Sequence, residues 1–175
     1  MNEFIIQPIG YISNQFDNVT FELKENEAPE LRKARLKAHQ QRLWENSSII
    51  EVLSEYEALL DGLDAFSHII IVFWPHLLPE KQRQIEKVHP RGWKDLPLQG
   101  IFATRSPARP NPILFSTVTL VKHEGRYLHV RGLDAMDQTP VIDIKPVVKP
   151  NDIKGPLRVP AWIDLIHGRP NTGAD

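Results

Sequence analysis

The chain has 175 residues, of which 41% are hydrophobic and 25% charged, with a formal net charge of −1. That length suits one domain around one core, and the balance excludes a wholly disordered chain and a protein that coats nucleic acid through its overall field. Cysteine is absent, which removes disulfides, thiolate nucleophiles and cysteine-ligated zinc or iron–sulfur sites.

Met1-Asn2-Glu3-Phe4 has neither a basic start nor a long apolar run, and Ile69 to Pro75 is too short an apolar stretch to cross a bilayer. A cytoplasmic protein with no membrane partner is expected. Phe4 to Ser13 reads as a strand. Pro29 to Trp44 reads as a helix, with Pro29 suited to its first turn and Glu30 complementing its dipole. That helix carries Arg32, Lys33, Arg35, Lys37 and Arg42, a charge run that is either a solvated face or a polyanion contact. Ile49 to Leu53 is a second strand, and Glu55 to Leu63 a helix or turn closed at Gly62. The run Ile69-Ile70-Ile71-Val72-Phe73-Trp74, within a strand from His68, is expected to be buried on both faces until Pro75 ends it. Pro79 to Pro97 is a long polar connection of the kind used for lids and binding loops. Ile113 to Leu133 alternates as a hairpin turning at Glu124-Gly125, and Thr139 to Val148 adds a strand limited by Pro140 and Pro146. Many strands and few helices predict a mainly β fold, a small closed or nearly closed antiparallel barrel with one or two peripheral helices. The barrel domain is assigned to residues 1–160 and a tail to 161–175.

The stretch Gly100-Ile101-Phe102-Ala103-Thr104-Arg105-Ser106-Pro107-Ala108-Arg109-Pro110-Asn111-Pro112-Ile113 packs two guanidiniums and three prolines into one loop. Proline restricts itself and the residue before it, so little entropy remains to be lost on binding. Arg105 and Arg109 then present planar forks suited to a carboxylate, a phosphate or a ring face. Further polar clusters stand at strand ends: His68 and His76 about the apolar strand, then Asp134, Asp137, Asp143 and Lys145 near the last one. Asp134 and Asp137 are also suited to capping backbone amides in a tight turn. No metal is expected, because a strand places His68 and His76 about 26 Å apart and no His-x-x-x-His pattern occurs. A Gly-x-Ser-x-Gly elbow and a Gly-x-Gly-x-x-Gly loop are both missing.

Four blocks in order resemble the TsaA-like (TrmO, YaeB-like) family: Ile9-Gly10-Tyr11-Ile12-Ser13, Gly62 to His68, Gly100 to Ile113, and Gly132-Leu133-Asp134 through Asp143-Ile144-Lys145-Pro146. The resemblance implies an antiparallel barrel that works as a homodimer, binds S-adenosylmethionine near the subunit interface, and methylates N6 of the threonylcarbamoyl-adenosine beside the tRNA anticodon. Carried over by position, it implies a donor site of His76, Leu77, Arg105, Phe115, Asp134, Ala135, Met136, Asp137, Gln138 and Thr139. Deprotonation of the poorly nucleophilic N6 nominates Asp137 or Asp134 as base, with His68 behind them. Arg109, Asn111, Arg32, Lys33 and Arg35 are the expected substrate contacts. Many bacterial members continue into a second C-terminal domain, and the basic helix with Lys81 to Lys94 is expected to supply phosphate contacts in its place. Gln138 stands where the family usually has glycine, which is expected to disfavour a positive φ. Another methyl acceptor, or a module that binds the donor or RNA without catalysis, is the alternative function.

Overall fold

A computed structural model describes residues 5–15, 28–45, 47–148 and 155–167. Six strands close into an antiparallel barrel: β1 (Gly10–Ser13), β2 (Ser47–Val52), β3 (His68–Phe73), β6 (Leu114–Glu124), β7 (Tyr127–Arg131) and β8 (Pro140–Pro146). Their order around the barrel is β1, β2, β7, β6, β3, β8, and β8 returns to β1 through Gly10–Val141 and Tyr11–Pro140. Two short strands outside it, β4 (Lys87–Val88) and β5 (Gln99–Gly100), pair with each other. Closure removes every barrel edge and gives each strand an inner face. Ile12, Ile50, Val52, Ile69, Ile71, Phe73, Val118, Leu128, Val130 and Val141 fill the interior, with Leu60, Leu133 and Ala135 packed against them. At Gly10 a Cβ would collide with the Glu51 carbonyl oxygen, so glycine there permits the closest approach of β1 to β2.

Antiparallel closure also sorts the connections. The links β1–β2, β3–β6 and β7–β8 fall at one rim, while β2–β3 and the β6–β7 turn fall at the other. The first rim thus receives residues 74–113 and 132–139 together with Asn14. One β-bulge, where the β3–β8 register shifts between Val72 and Phe73, lies near it.

Helix α1 (Pro29–Glu45) runs one residue past its expected end, with Glu30 in its first turn and Arg42 in its last. It packs away from the barrel core, in a second cluster of Leu36, Trp93, Leu96 and Ile166. Arg32 donates to Asp95 at 2.7 Å and lies over the Trp93 ring at 5.5 Å, tying the helix to the 87–97 segment. Ile166 belongs to helix α2 (Ala161–His167), so residues 161–167, grouped with the tail on sequence grounds, are helical. The rest of that tail, residues 168–175, lies outside the described residues.

Several expected elements differ in detail. β1 starts at Gly10, since Pro8 has no amide proton for a ladder, although Ile9 still bonds to Val141 and Leu53. β3 is not buried on both faces: Ile69, Ile71 and Phe73 are buried, whereas His68 is exposed and Ile70 and Val72 are partly so. A barrel strand has only one core side, unlike a strand sandwiched between helices. The hairpin turns at Gly125-Arg126, one residue later than expected, with φ 55° at Gly125. The Glu55 to Leu63 segment forms two 3₁₀ turns, Ser54–Leu60 and Leu63–Ala65, broken at Gly62 with φ 81°.

Candidate functional site

At the first rim a cavity of about 740 Å³ lies against the outside of β1 and β8. Its walls are mostly apolar: Ile6, Pro8, Tyr11, Trp74, Ile113, Pro140 and Ile142, with His76, Asn111 and Gln138 as the polar groups. Tyr11 reaches it because β1 alternates, burying Gly10 and Ile12 and turning Tyr11 outward. Trp74 and His76 follow β3 directly, and the Trp74 amide bonds to the Pro140 carbonyl at 3.0 Å. His76 Nδ1 lies 3.4 Å from the Thr139 hydroxyl.

The 132–139 turn is built by Asn14. The Asn14 side-chain amide donates to the Ala135 carbonyl at 3.0 Å and to Ser48 Oγ at 3.2 Å, while its backbone N–H donates to Asp137 Oδ1 at 3.0 Å. Asp137 therefore has one oxygen occupied by an amide and sits exposed at the rim. Ladder-like bonds continue through the turn: Gln138 N–H to the Ile12 carbonyl at 2.7 Å and Ile12 N–H to the Thr139 carbonyl at 3.0 Å. These bonds impose φ 57° on Gln138, contrary to the expectation that glutamine would avoid it. A non-glycine residue held there costs on the order of 1 kcal/mol, a strain typical of functional turns. Arg91, the other described non-glycine residue with positive φ, at 56°, faces the same turn. Loss of water lowers the pKa of its guanidinium, and the charge of Asp134 opposes that.

The proline loop is braced from within. Thr104 Oγ1 donates to the Ile101 carbonyl at 2.8 Å and accepts the Ser106 amide at 3.3 Å, and Ser106 Oγ accepts the Ala108 amide at 3.3 Å. Arg109 donates through Nε to the Ser106 carbonyl at 3.0 Å and through Nη2 to the Thr104 carbonyl at 2.7 Å. Two of its five N–H donors thus brace the loop itself. Arg105 stacks on the Phe115 ring at 4.5 Å and donates to the Phe115 carbonyl at 3.2 Å. Two residues expected in the donor site thus touch each other, and neither is among the residues that line the cavity.

His76 and Gln138, assigned to the donor site, line the cavity together with Asn111, assigned to the substrate, and Thr139 and Asp137 adjoin it. His68 does not join them. It begins β3, whose end enters the site, and bonds Ser67 Oγ at 2.9 Å and Thr119 Oγ1 at 3.4 Å at the opposite rim. Leu77 is exposed and outside the lining. Arg32 is committed to Asp95 and Trp93, with only 17% of its side chain exposed, so it serves the helix anchor rather than a free basic face. Lys33 is exposed and Arg35 half-buried. Asn14, Tyr11 and Trp74 were missed from sequence; only Tyr11 carried a signal, as an aromatic at an outward strand position. Among the described residues no cluster of His, Asp and Glu is arranged to hold a metal ion, and no helix is long and apolar enough to cross a membrane.

Comparison with known proteins bears on the fold and the family. A probable S-adenosyl-L-methionine-binding protein of Methanothermobacter thermautotrophicus is 38% identical over 153 residues, spanning 87% of this chain and 96% of that protein. An S-adenosyl-L-methionine-binding protein of Archaeoglobus fulgidus is 35% identical over 141 residues, or 81% of this chain and 87% of that one. A crystal structure of TrmO has a TM-score of 0.65 at 28% identity over 90% of this chain. Another, of TrmO from Pseudomonas aeruginosa, scores 0.61 at 29% identity over 90%. This chain spans 64% and 61% of those two solved chains. Residues 32–153, which include most of α1, β2 to β8, the proline loop and the 132–139 turn, match the N-terminal domain of tRNA-methyltransferase O, and by that match the chain belongs to this family.

Proposed function

We propose that this chain is an S-adenosylmethionine-dependent methyltransferase that holds its donor in the rim cavity and methylates N6 of threonylcarbamoyl-adenosine beside the tRNA anticodon. The observation that carries the reading is the meeting of His76, Asn111 and Gln138 around one apolar cavity, at the rim where the family's proline loop and aspartate turn converge. The residues present fit the donor. A cavity of this size lies within the roughly 300–1,000 Å³ of small-molecule sites, and Tyr11, Trp74 and Ile113 offer walls for an adenine and a thioether chain. The polar trio faces ribose hydroxyls and amino-acid groups.

When bound, the sulfonium supplies an electrophilic methyl whose positive charge vanishes on transfer, so the chain's work is alignment and exclusion of water. Asn14 sets the orientation of Asp137, and Asp137 takes the proton that leaves the acceptor nitrogen, with Asp134 beside it and His68 taking no part. Exposed apolar residues at the cavity mouth, Ile6, Tyr11 and Ile113, favour a second copy of the chain as its cover, in keeping with a homodimer. Sedimentation of the chain as a monomer at all concentrations would remove that part.

The test of function is methyl transfer from labelled S-adenosylmethionine to tRNA that carries the threonylcarbamoyl group and to tRNA that lacks it. Label is expected only in the modified pool. Label in neither, with calorimetric donor binding intact, retires the tRNA acceptor.

A further inference from the structure

A second cavity, of about 330 Å³, lies behind the proline loop, and Arg83, Ile85, Ile101, Phe102 and Pro110 are among its walls. It abuts the donor cavity in two ways. Pro110 lines one and its neighbour Asn111 the other, so the two cavities approach each other at the loop. The Arg83 guanidinium also stacks at 5.2 Å on Trp74, a ring that lines the donor cavity.

Phe102 is 79% exposed, yet it is not on a loose segment. Buried Ile101 precedes it and bonds through its amide to the Glu86 carbonyl at 2.9 Å, and Thr104 closes the turn onto the Ile101 carbonyl at 3.1 Å. The turn therefore holds an aromatic ring out in water at the lip of a concave site, an arrangement that core packing does not require. Arg83 differs from its neighbours in the same way. Arg105 and Arg109 donate to carbonyls, whereas Arg83 is positioned by a ring, and its buried Nε has no hydrogen-bond partner among the described residues. A guanidinium held in place with unspent donors suits a carboxylate, and an exposed, pinned phenyl ring suits a base face.

We infer that this cavity is the acceptor site: a purine stacks on Phe102, and an anionic carboxylate carried on its exocyclic amine pairs with Arg83. The inference rests on the methyl-transfer reading for its link to the donor, since an acceptor must lie against the donor to react. The site would then read the modification itself, through Arg83, before methylation.

The test is an NMR shift titration of the full chain, saturated with S-adenosylhomocysteine, against N6-threonylcarbamoyladenosine and against adenosine. The wild type is expected to bind the carboxylate-bearing nucleoside at least about tenfold more tightly. Phe102→Ala is expected to weaken both nucleosides about tenfold through lost stacking. Arg83→Gln is expected to equalise them, and Phe102→Ala is expected to keep S-adenosylhomocysteine affinity within about twofold of wild type. A wild type that binds neither nucleoside, or variants with wild-type affinities, overturns the site. The two readings separate as well. Absence of methyl transfer to any tRNA, with nucleoside binding lost in Phe102→Ala, retires the tRNA reaction and keeps the site. Modified tRNA methylated at unchanged KM in both variants retires the site and keeps the reaction.

Discussion

The two rims of the barrel are built from the same six strands and differ in almost everything else. One is closed by the tight Gly125-Arg126 turn and the 3₁₀ turns that lead to His68, whose imidazole is occupied by Ser67 and Thr119. The other carries the proline loop, the Asp134 to Thr139 turn, both described non-glycine residues of positive φ and the 740 Å³ cavity. The difference shows where the fold places stability and where it places function. The core residues are shared along the strands, so the barrel tolerates strain at one rim while the strands and the opposite rim hold the register.

Breaking that contrast requires changes whose effects differ between rims. The largest effect is expected for Asp137→Asn, which keeps an acceptor for the Asn14 amide but cannot take a proton: turnover should fall at least about 100-fold with donor affinity retained. His68→Ala, at the opposite rim, should leave turnover within about twofold. Equal losses in the two variants would dissolve the distinction. Asn14→Ala comes next, because it leaves the Ala135 carbonyl and Ser48 without their partner; a cost of about 1–3 kcal/mol in denaturant unfolding is expected, with weaker donor binding. Gln138→Gly releases the positive φ and should stabilise the chain by up to about 1 kcal/mol, while loosening the turn shows as reduced donor affinity.

The smallest effect sharpens the role of the α1 anchor beside the functional rim. The hydrogen bond from Arg32 holds the Asp95 carboxyl below its usual range. A carboxyl with a lowered folded pKa adds stability above the ordinary value near 4 and loses it as pH falls through the lowered value. Asp95→Asn should therefore be less stable than wild type by under about 1 kcal/mol at pH 7, because the pair is solvent-screened, and the difference should shrink as pH falls below the ordinary carboxylate range. A difference that persists at low pH would mean that the anchor is not ionic.

Period-two alternation in β6 and β7, the turn glycine at position 125, and the proline-started helix were legible because each is a local preference repeated over several residues. The β3 run misled, since an unbroken apolar sequence fits both a doubly covered strand and a barrel wall whose outer face is half-covered by loops. Gln138 misled for the opposite reason: its intrinsic dislike of positive φ is outweighed by hydrogen bonds to Ile12 that are distant in sequence. Arg109 and Arg32 looked like free forks, but a guanidinium's partner is settled by which carbonyl or carboxylate the fold brings near.

The sequence by itself determined the strands, the basic helix, the stiff proline loop and the short list of chemically able residues. Tertiary structure decided which of those residues meet. In an antiparallel barrel the direction of each strand assigns its ends to opposite rims, so His76 and His68, flanking one strand, are separated, while Asn14 and Asp137, 123 positions apart, share a hydrogen bond. Long-range pairing set that proximity, and no local preference encodes it.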